Sequence, residues 1–296
     1  MNNRWIKCEE NPVLGGDLGE CFDISVLKDE NVYRMYFSWR KKDSVAVTES
    51  DDGVHWKSPE IIIPPRLETG WEDVINRPVV ILKDGKYLMW YTGQIKPGAE
   101  DGHSWIGYAE SEDGIKWDRH KKPVLIFDQD WEKGAVMCPH VCWDECEKLY
   151  KMWYSGGEQY EPDAIGYAES SDGINWTKLE NNPIFLSDSN SVWEQEKVTA
   201  CQVVHHNGWY IMFYIGFENV DLARIGIARS KDGITQWERL PSNPILSPDE
   251  GAWDAEACYK PFAIYENNRW LLWYNGRRGH MEQIGMAFHQ GEDLGF

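Results

Sequence analysis

The chain has 296 residues, 42% of them hydrophobic, which is enough for a globular core in one large domain or two. Its formal net charge is −19 and its isoelectric point about 4.8, so charge repulsion argues against nucleic acid and anionic membranes as partners. The acidic residues are scattered rather than gathered in a tail, and most of them read as solvated surface.

The opening segment "MNNRWIKCEENPVL" has no basic stretch leading into an apolar one, and no later stretch approaches 18 apolar residues. A soluble, non-exported, cytoplasmic protein is expected. The seven cysteines, Cys8, Cys21, Cys138, Cys142, Cys146, Cys201 and Cys258, are odd in number and fit a reduced compartment better than a disulfide framework. Cys138, Cys142 and Cys146 lie four apart, but no second cluster or His-x3-5-His pair completes a zinc site. No metal and no other cofactor is expected.

From residue 16 onward the chain alternates apolar and polar residues with the period of a β-strand, and no long helical period appears. "YLMWYTG" (87–93), "LYKMWYSGG" (149–157), "WYIMFYIGF" (209–217) and "WLLWYNGR" (270–277) are variants of one strand. "VAVTESDDGVHW" from Val45, "IGYAESEDGIKW" from Ile106, "IGYAESSDGINW" from Ile165 and "IGIARSKDGITQW" from Ile225 are variants of one hairpin. The glycines that end the Asp-Gly pairs, Gly53, Gly114, Gly173 and Gly233, are spaced 61, 59 and 60 apart; Trp71, Trp131, Trp193 and Trp253 are spaced 60, 62 and 60 apart.

One unit therefore reads as Trp plus an acidic residue, strand one, a turn, and strand two. A loop, strand three, an Asp-Gly turn suited to a tight hairpin, and strand four opening on Trp complete it. Four strands per repeat is the signature of a propeller blade. The last unit stops at "IGMAFHQGEDLGF" (284–296) without a fourth strand, and "WIKCEENPVL" (5–14) matches "WTKLENNPIF" (176–185) in the pattern W-x-K-x-x-x-N-P. Residues 1–14 are thus expected to supply the outer strand of the last blade. Trp5, Trp56, Trp117, Trp176 and Trp237 make five copies. The expectation is an all-β, five-bladed β-propeller of four antiparallel strands per blade, formed as one domain over 1–296, its ring closed by the N-terminal strand.

In such a ring the first strands line the axis. Those segments, 16–27, 71–82, 131–142, 193–204 and 253–264, are rich in ionisable groups: Asp17, Glu20, Asp23, Glu72, Asp73, Arg77, Lys133, His140, Glu196, Lys197, Asp254, Glu256 and Lys260. Asp73, Glu196 and Glu256 share one repeat position. Carboxylates gathered in a narrow funnel push their pKa values apart and create an acid and a base. The competing reading is that they cap strand ends or pair with Arg77, Lys197 and Lys260. The recurring Trp residues read as packing. Trp39 and Trp105 fall outside the repeat and are the better candidates for sugar platforms.

The "YxMWYxG" strands and "IGYAxSxDGIxW" hairpins resemble those of the propeller glycosidases of glycoside hydrolase families 43 and 32, and more distantly those of family 130, the mannoside phosphorylases. The resemblance implies that Asp23, in Asp23-Ile24-Ser25-Val26-Leu27, is the catalytic base, with Ile24 where family 43 has Pro. Asn76-Arg77-Pro78 stands where the fructosidase pattern has Arg-Asp-Pro, which leaves Asp73 as the nearest second carboxylate. Met137-Cys138-Pro139-His140 stands where family 43 has Glu-Gly-Pro-His. Met transfers no proton, so either Glu196 or Glu256 from another blade fills that place or the chemistry differs from the family's.

The leading expectation is a glycoside hydrolase acting on a small carbohydrate, with a furanose unit among the options. Asp23 is base or nucleophile, Glu196 the acid, and Asp73 the residue that orients substrate and tunes the acid. Arg40, Asn76, Arg77, His140, Glu256, Lys260 and Trp39 are expected to bind substrate, the basic and amide groups holding hydroxyls, a carboxylate or a phosphate. Two alternatives stay open. One is a phosphorylase, in which Arg77, Lys197, Lys260, Arg277 and Arg278 gather inorganic phosphate. The other is a non-catalytic sugar- or protein-binding propeller.

Overall fold

A computed structural model describes residues 5–29, 31–96, 102–159 and 161–296. The fold is all-β. Among the described residues no helix is long and apolar enough to cross a membrane.

After a short β1 (Ile6–Lys7), the strands run in consecutive antiparallel groups. The first is β2 (Cys21–Asp29), β3 (Val32–Trp39), β4 (Ser44–Ser50) and β5 (Glu60–Ile63). The second is β6 (Val74–Lys83), β7 (Lys86–Gln94), β8 (Ser104–Ser111) and β9 (Asp118–Arg119). The third is β10 (Ala135–Asp144), β11 (Leu149–Glu158), β12 (Glu161–Ser170) and β13 (Thr177–Lys178). The fourth is β14 (Lys197–His206), β15 (Trp209–Phe217), β16 (Ala223–Ser230) and β17 (Glu238–Arg239). The last three strands, β18 (Ala257–Glu266), β19 (Arg269–Arg278) and β20 (Met281–Gln290), are joined by β1, where Ile6 faces Phe288 and Lys7 faces Ala287. Residues 1–4 of the expected closing segment lie outside the described residues.

The chain divides into two compact units. One holds 1–24 with 185–296 and the other holds 25–184, the boundary falling inside β2. In the first unit Trp5 is buried and meets Phe213 edge-on at 6.0 Å. In the second, a core of Trp90, Ile106, Tyr108, Val136 and Met152 fills the space between sheet faces.

The recurring Trp residues do pack structure. A Cβ on Gly93, Gly156, Gly216 or Gly276 would lie 2.5, 2.4, 2.4 or 2.3 Å from the ring of Trp71, Trp131, Trp193 or Trp253. The glycine of each "YxG" exists because an indole lies flat on its strand.

The Asp-Gly signature forms a longer loop than the tight hairpin expected. Only the glycine takes positive φ, at 74–78° in all four copies. The aspartate instead caps the loop. In "SDG" of the third group, Asp172 Oδ1 accepts the N–H groups of Ile174 and Asn175 at 2.9 and 2.8 Å, and Ser170 Oγ accepts that of Gly173 at 2.9 Å. This local turn competes with a two-residue hairpin and wins because it satisfies three backbone donors.

The acid that follows each recurring Trp is also structural. Glu72, Glu132, Glu194 and Asp254 are at most 1% exposed. Tyr91, Tyr154 and Tyr274, each on the second strand of its group, donate hydroxyls to Glu72, Glu132 and Asp254 at 2.6, 2.8 and 3.0 Å. A base on the fourth strand neutralises each carboxylate: Arg119 to Glu72 at 3.3 Å, Lys178 to Glu132 at 2.7 Å, Arg239 to Glu194 at 2.7 Å and Lys7 to Asp254 at 2.6 Å. This latch joins the first, second and fourth strands of one group, and β1 takes part through Lys7. Burial and the adjoining carboxylate raise the Tyr91, Tyr154 and Tyr274 hydroxyls well above the ordinary tyrosine value, which keeps them protonated donors.

Candidate active site

One backbone feature repeats where chemistry was expected. Asp23, Arg77, Cys138, Ala200 and Lys260 occupy equivalent positions in β2, β6, β10, β14 and β18, and all five are non-glycine residues with positive φ (56, 54, 51, 32 and 49°). In β6, β10, β14 and β18 the pairing register slips at this point, between Asn76 and Val79, Met137 and His140, Thr199 and Cys201, and Tyr259 and Phe262. Each is a β-bulge, a device that re-aims a side chain. A left-handed conformation costs a non-glycine residue roughly 1–2 kcal/mol. Such strain persists only where the surroundings enforce it.

The surroundings do so by a second repeat. The bulge N–H of Asp23 donates to Asn275 Oδ1 at 2.9 Å, that of Arg77 to Ser38 Oγ at 2.9 Å, and that of Cys138 to Thr92 Oγ1 at 3.1 Å. Ser38, Thr92 and Asn275 occupy the same place in β3, β7 and β19, just after the Tyr or Phe of the "WY" pair. Sequence reasoning missed them. The visible signal was a polar residue directly after an apolar run, as in Phe37-Ser38, Tyr91-Thr92 and Tyr274-Asn275.

Asp23 is 4% exposed, and Asn275 also donates to the Cys21 carbonyl at 3.3 Å, so one amide holds two backbone groups just before the carboxylate. Arg77 is held by neutral acceptors: Asn76 Oδ1 at 2.9 Å and Gln94 Oε1 at 3.1 Å. Asn76 donates to Gln94 Oε1 at 2.5 Å and Gln94 donates to Ser104 Oγ at 2.8 Å, a buried polar chain that orients the guanidinium.

Residues 9–290 match the sequence profile of glycosyl hydrolases family 43. The chain belongs to that family. The β-1,2-mannobiose phosphorylase of Thermoanaerobacter sp. (strain X514) is 26% identical over 242 residues, covering 76% of this chain and 73% of the relative. Among solved structures, a thermostable family-43 glycoside hydrolase superposes with a TM-score of 0.76 at 21% identity, covering 96% of this chain and 93% of that one. Another superposes at 0.78 with 14% identity, covering 99% and 97%. It comes from work on a mannoside phosphorylase family, numbered 130, that contains glycoside hydrolases targeting β-1,2 mannosidic linkages in Candida mannan. These likenesses establish the fold, and the family match makes the chain a carbohydrate-active enzyme.

Within this family-43 chain the remaining expected residues are placed as follows. Asp73, Glu196 and Glu256 each stand immediately before the first strand of their group, as the shared repeat position required. Asp73 is half-buried and accepts the Lys96 N–H at 3.2 Å. Glu196 is exposed, its N–H bonded to the Phe217 carbonyl at 3.0 Å. Glu256 is exposed, and its carboxylate lies 3.8 Å from the Arg277 guanidinium. His140 is 7% exposed, its ring 6.1 Å from that of Trp153. Arg40 is exposed in a 3-10 turn, with half-buried Trp39 just before it. Trp105 stacks on His103 at 3.7 Å. Lys260 is 6% exposed.

Met137 is fully buried. Desolvation pushes the Cys142 thiol up to about 12, away from the thiolate form. Burial also raises the Glu194 carboxyl despite Arg239 beside it, but Glu194 is sealed in a latch and offers no proton to a substrate. Among the described residues no group of three or more His, Cys, Asp or Glu is placed to hold a metal.

Proposed function

We propose that this chain cleaves the glycosidic bond of a small oligosaccharide by hydrolysis, with Asp23 as base or nucleophile and Glu196 as acid. The reading takes the five strand groups as the five blades of one propeller, as in the family-43 folds it resembles. The observation that carries it is Asp23 itself: a carboxylate on a left-handed bulge, nearly buried, with its backbone gripped by Asn275. Strain of that kind aligned on a carboxylate is what preorganised chemistry requires. Asp73 orients the sugar, and Arg77, Asn76, Lys260, His140, Arg40, Glu256 and Trp39 contact it. Seven cysteines without a disulfide support action in a reducing, cytoplasmic compartment.

Phosphorolysis is the second reading. It is favoured by cations on two of the five bulges, Arg77 and Lys260, together with buried Met137 in the acid's place. Inorganic phosphate as nucleophile needs only one protein acid.

The test is a nitrophenyl glycoside panel assayed with and without phosphate, on the wild type and on Asp23→Asn. Asn tolerates positive φ and keeps the side-chain shape. Turnover is expected to fall by about 10³-fold, within the usual range for removing an acid–base group, with an unchanged melting temperature. Activity near wild type would refute the assignment. Release of sugar 1-phosphate only when phosphate is present would replace hydrolysis with phosphorolysis.

A further inference from the structure

Among the described residues, three lysines with little exposure lie between pairs of carboxylates. Lys178 lies between Asp128 at 2.6 Å and Glu132 at 2.7 Å; Lys151 between Asp144 and Glu147, both at 2.9 Å; Lys7 between Asp249 at 2.9 Å and Asp254 at 2.6 Å. Lys197, 9% exposed, lies 4.8 Å from the centre of the Phe217 ring. Lys260 is 6% exposed as a residue, its Nζ is not sealed from solvent, and it faces no carboxylate among the described residues. An ammonium withdrawn from water without a counter-charge is costly, and natural structures avoid it unless something else supplies the charge.

The local sequence departs from the repeat in the same place. Lys260 stands on the bulge of β18, the position that bears Asp23 in β2. The second-strand position that carries Ser38, Thr92 and Asn275 elsewhere carries Ile215 in β15, which offers no acceptor. Gln202 of β14 clamps the Ala263 backbone of β18, at 2.5 and 2.9 Å, two residues after the β14 bulge residue and three after Lys260. The β14 bulge residue is Ala200, which contributes only a methyl group. A cation facing no carboxylate thus stands on a strand tied to one whose bulge residue has almost no side chain.

We propose that Lys260 recognises an oxyanion, a carboxylate- or phosphate-type group that is either part of the sugar substrate or delivered with it. The inference rests on the reading of the bulge positions as substrate-facing. In a chain of net charge −19 an anionic ligand is repelled at long range, so a largely desolvated ammonium without a counter-charge is the contact that makes its binding favourable.

The test uses the full chain as wild type, Lys260→Met and Lys260→Arg, with thermal unfolding and calorimetric titration against methyl glucuronide, neutral methyl glucoside and inorganic phosphate. The wild type should be stabilised by at least one anionic probe and not by the neutral one. Lys260→Met should melt higher than wild type without ligand and bind the same anion at least 10-fold more weakly; Lys260→Arg should keep part of the affinity. A response to phosphate alone identifies a free co-substrate, and a response to the glucuronide identifies an anionic sugar. A wild type indifferent to both anions, a Met variant that binds them equally, or a Met variant that melts lower would overturn the proposal. None of these readouts needs turnover, so Asp23→Asn should show the full anion response even if the hydrolytic reading fails.

Discussion

Glu132 is the centre of the best-connected latch, and its replacement by Gln measures what the latch contributes. The carboxylate is fully buried and accepts four hydrogen bonds: from the Tyr154 hydroxyl at 2.8 Å, Lys178 Nζ at 2.7 Å, and the N–H groups of Asp128 and Gln129 at 2.7 and 3.0 Å. An amide offers one acceptor oxygen and turns an NH2 group toward the remaining donors. Removing one partner of a buried ion pair costs about 3–5 kcal/mol. Lys178 keeps Asp128, which is 66% exposed and only a partial substitute, so the low end, about 3 kcal/mol, is expected. For a unit the size of 25–184 that corresponds to a fall in melting temperature of about 6–12 °C. Urea unfolding followed by tryptophan fluorescence gives the free energy, and calorimetry gives the melting shift. The control is Glu145→Gln, which removes the exposed Lys148 pair at 2.5 Å; no measurable change is expected there, because solvent already screens that contact. Adding Lys178→Met to Glu132→Gln should recover part of the loss by removing the stranded ammonium. If Glu132→Gln unfolds with the midpoint of Glu145→Gln, the latch is not a stabilising device and the argument fails.

Gly156→Ala should be severe, because its Cβ would sit 2.4 Å from the Trp131 ring, which is held in place by its own neighbours. Soluble yield and near-ultraviolet circular dichroism report it, and a variant with wild-type spectrum and melting point would contradict the packing described. Acid sensitivity has a defined source in the capped loops. The Asp172 carboxyl is held well below the usual range, first by the Asn175 N–H and also by the Asn175 side chain, and Asp52 likewise by His55. A carboxyl with a depressed folded pKa contributes its stability above the unfolded value of about 4 and loses it as pH falls through the folded value. Asp172→Asn keeps an acceptor but cannot titrate, so its stability should decline less steeply than wild type below about pH 4; parallel acid limbs would refute the assignment.

The periodic parts of this fold were legible because they rest on local rules. Alternation gave the strands, and the spacing of Trp71, Trp131, Trp193 and Trp253 gave the unit. The match of "WIKCEENPVL" to "WTKLENNPIF" pointed to the pairing now seen between β1 and β20. What sequence could not sort was the acids. Glu72 and Asp73 are adjacent, yet one is buried under Tyr91 and Arg119 while the other caps the chain at Lys96. That difference depends on partners from the second and fourth strands, tens of residues away, and no local pattern encodes it. The Asp-Gly turn was read too simply for a related reason: the pair suits a tight hairpin, but Ser170 and Asp172 can satisfy more backbone donors in a wider loop. The bulges were invisible because Asp, Arg, Cys, Ala and Lys share no property except the backbone conformation imposed on them.

That indifference to side-chain type is the functional point. The indole on glycine, the buried acid under a tyrosine and a base, and the capped loop recur with little variation because each satisfies a structural requirement of a four-strand group. The bulge is different: its backbone recurs while its side chain is free to change, so it presents a different group at each copy without altering the scaffold. The first group carries this furthest. β2 has no Trp-acid pair before it, and the preceding segment is "GGDLGE" instead, tied down by the Gly16 N–H to Gln283 at 2.8 Å. With no latch acid beside it, Asp23 is the carboxylate of that segment that lies buried on a strained backbone, while Asp17 is exposed and Glu20 only half-buried. The repeat ties its other described buried acids, Glu72, Glu132, Glu194 and Asp254, into latches, and under the proposed function Asp23→Asn is therefore expected to separate activity from stability where Glu132→Gln is expected to reduce stability.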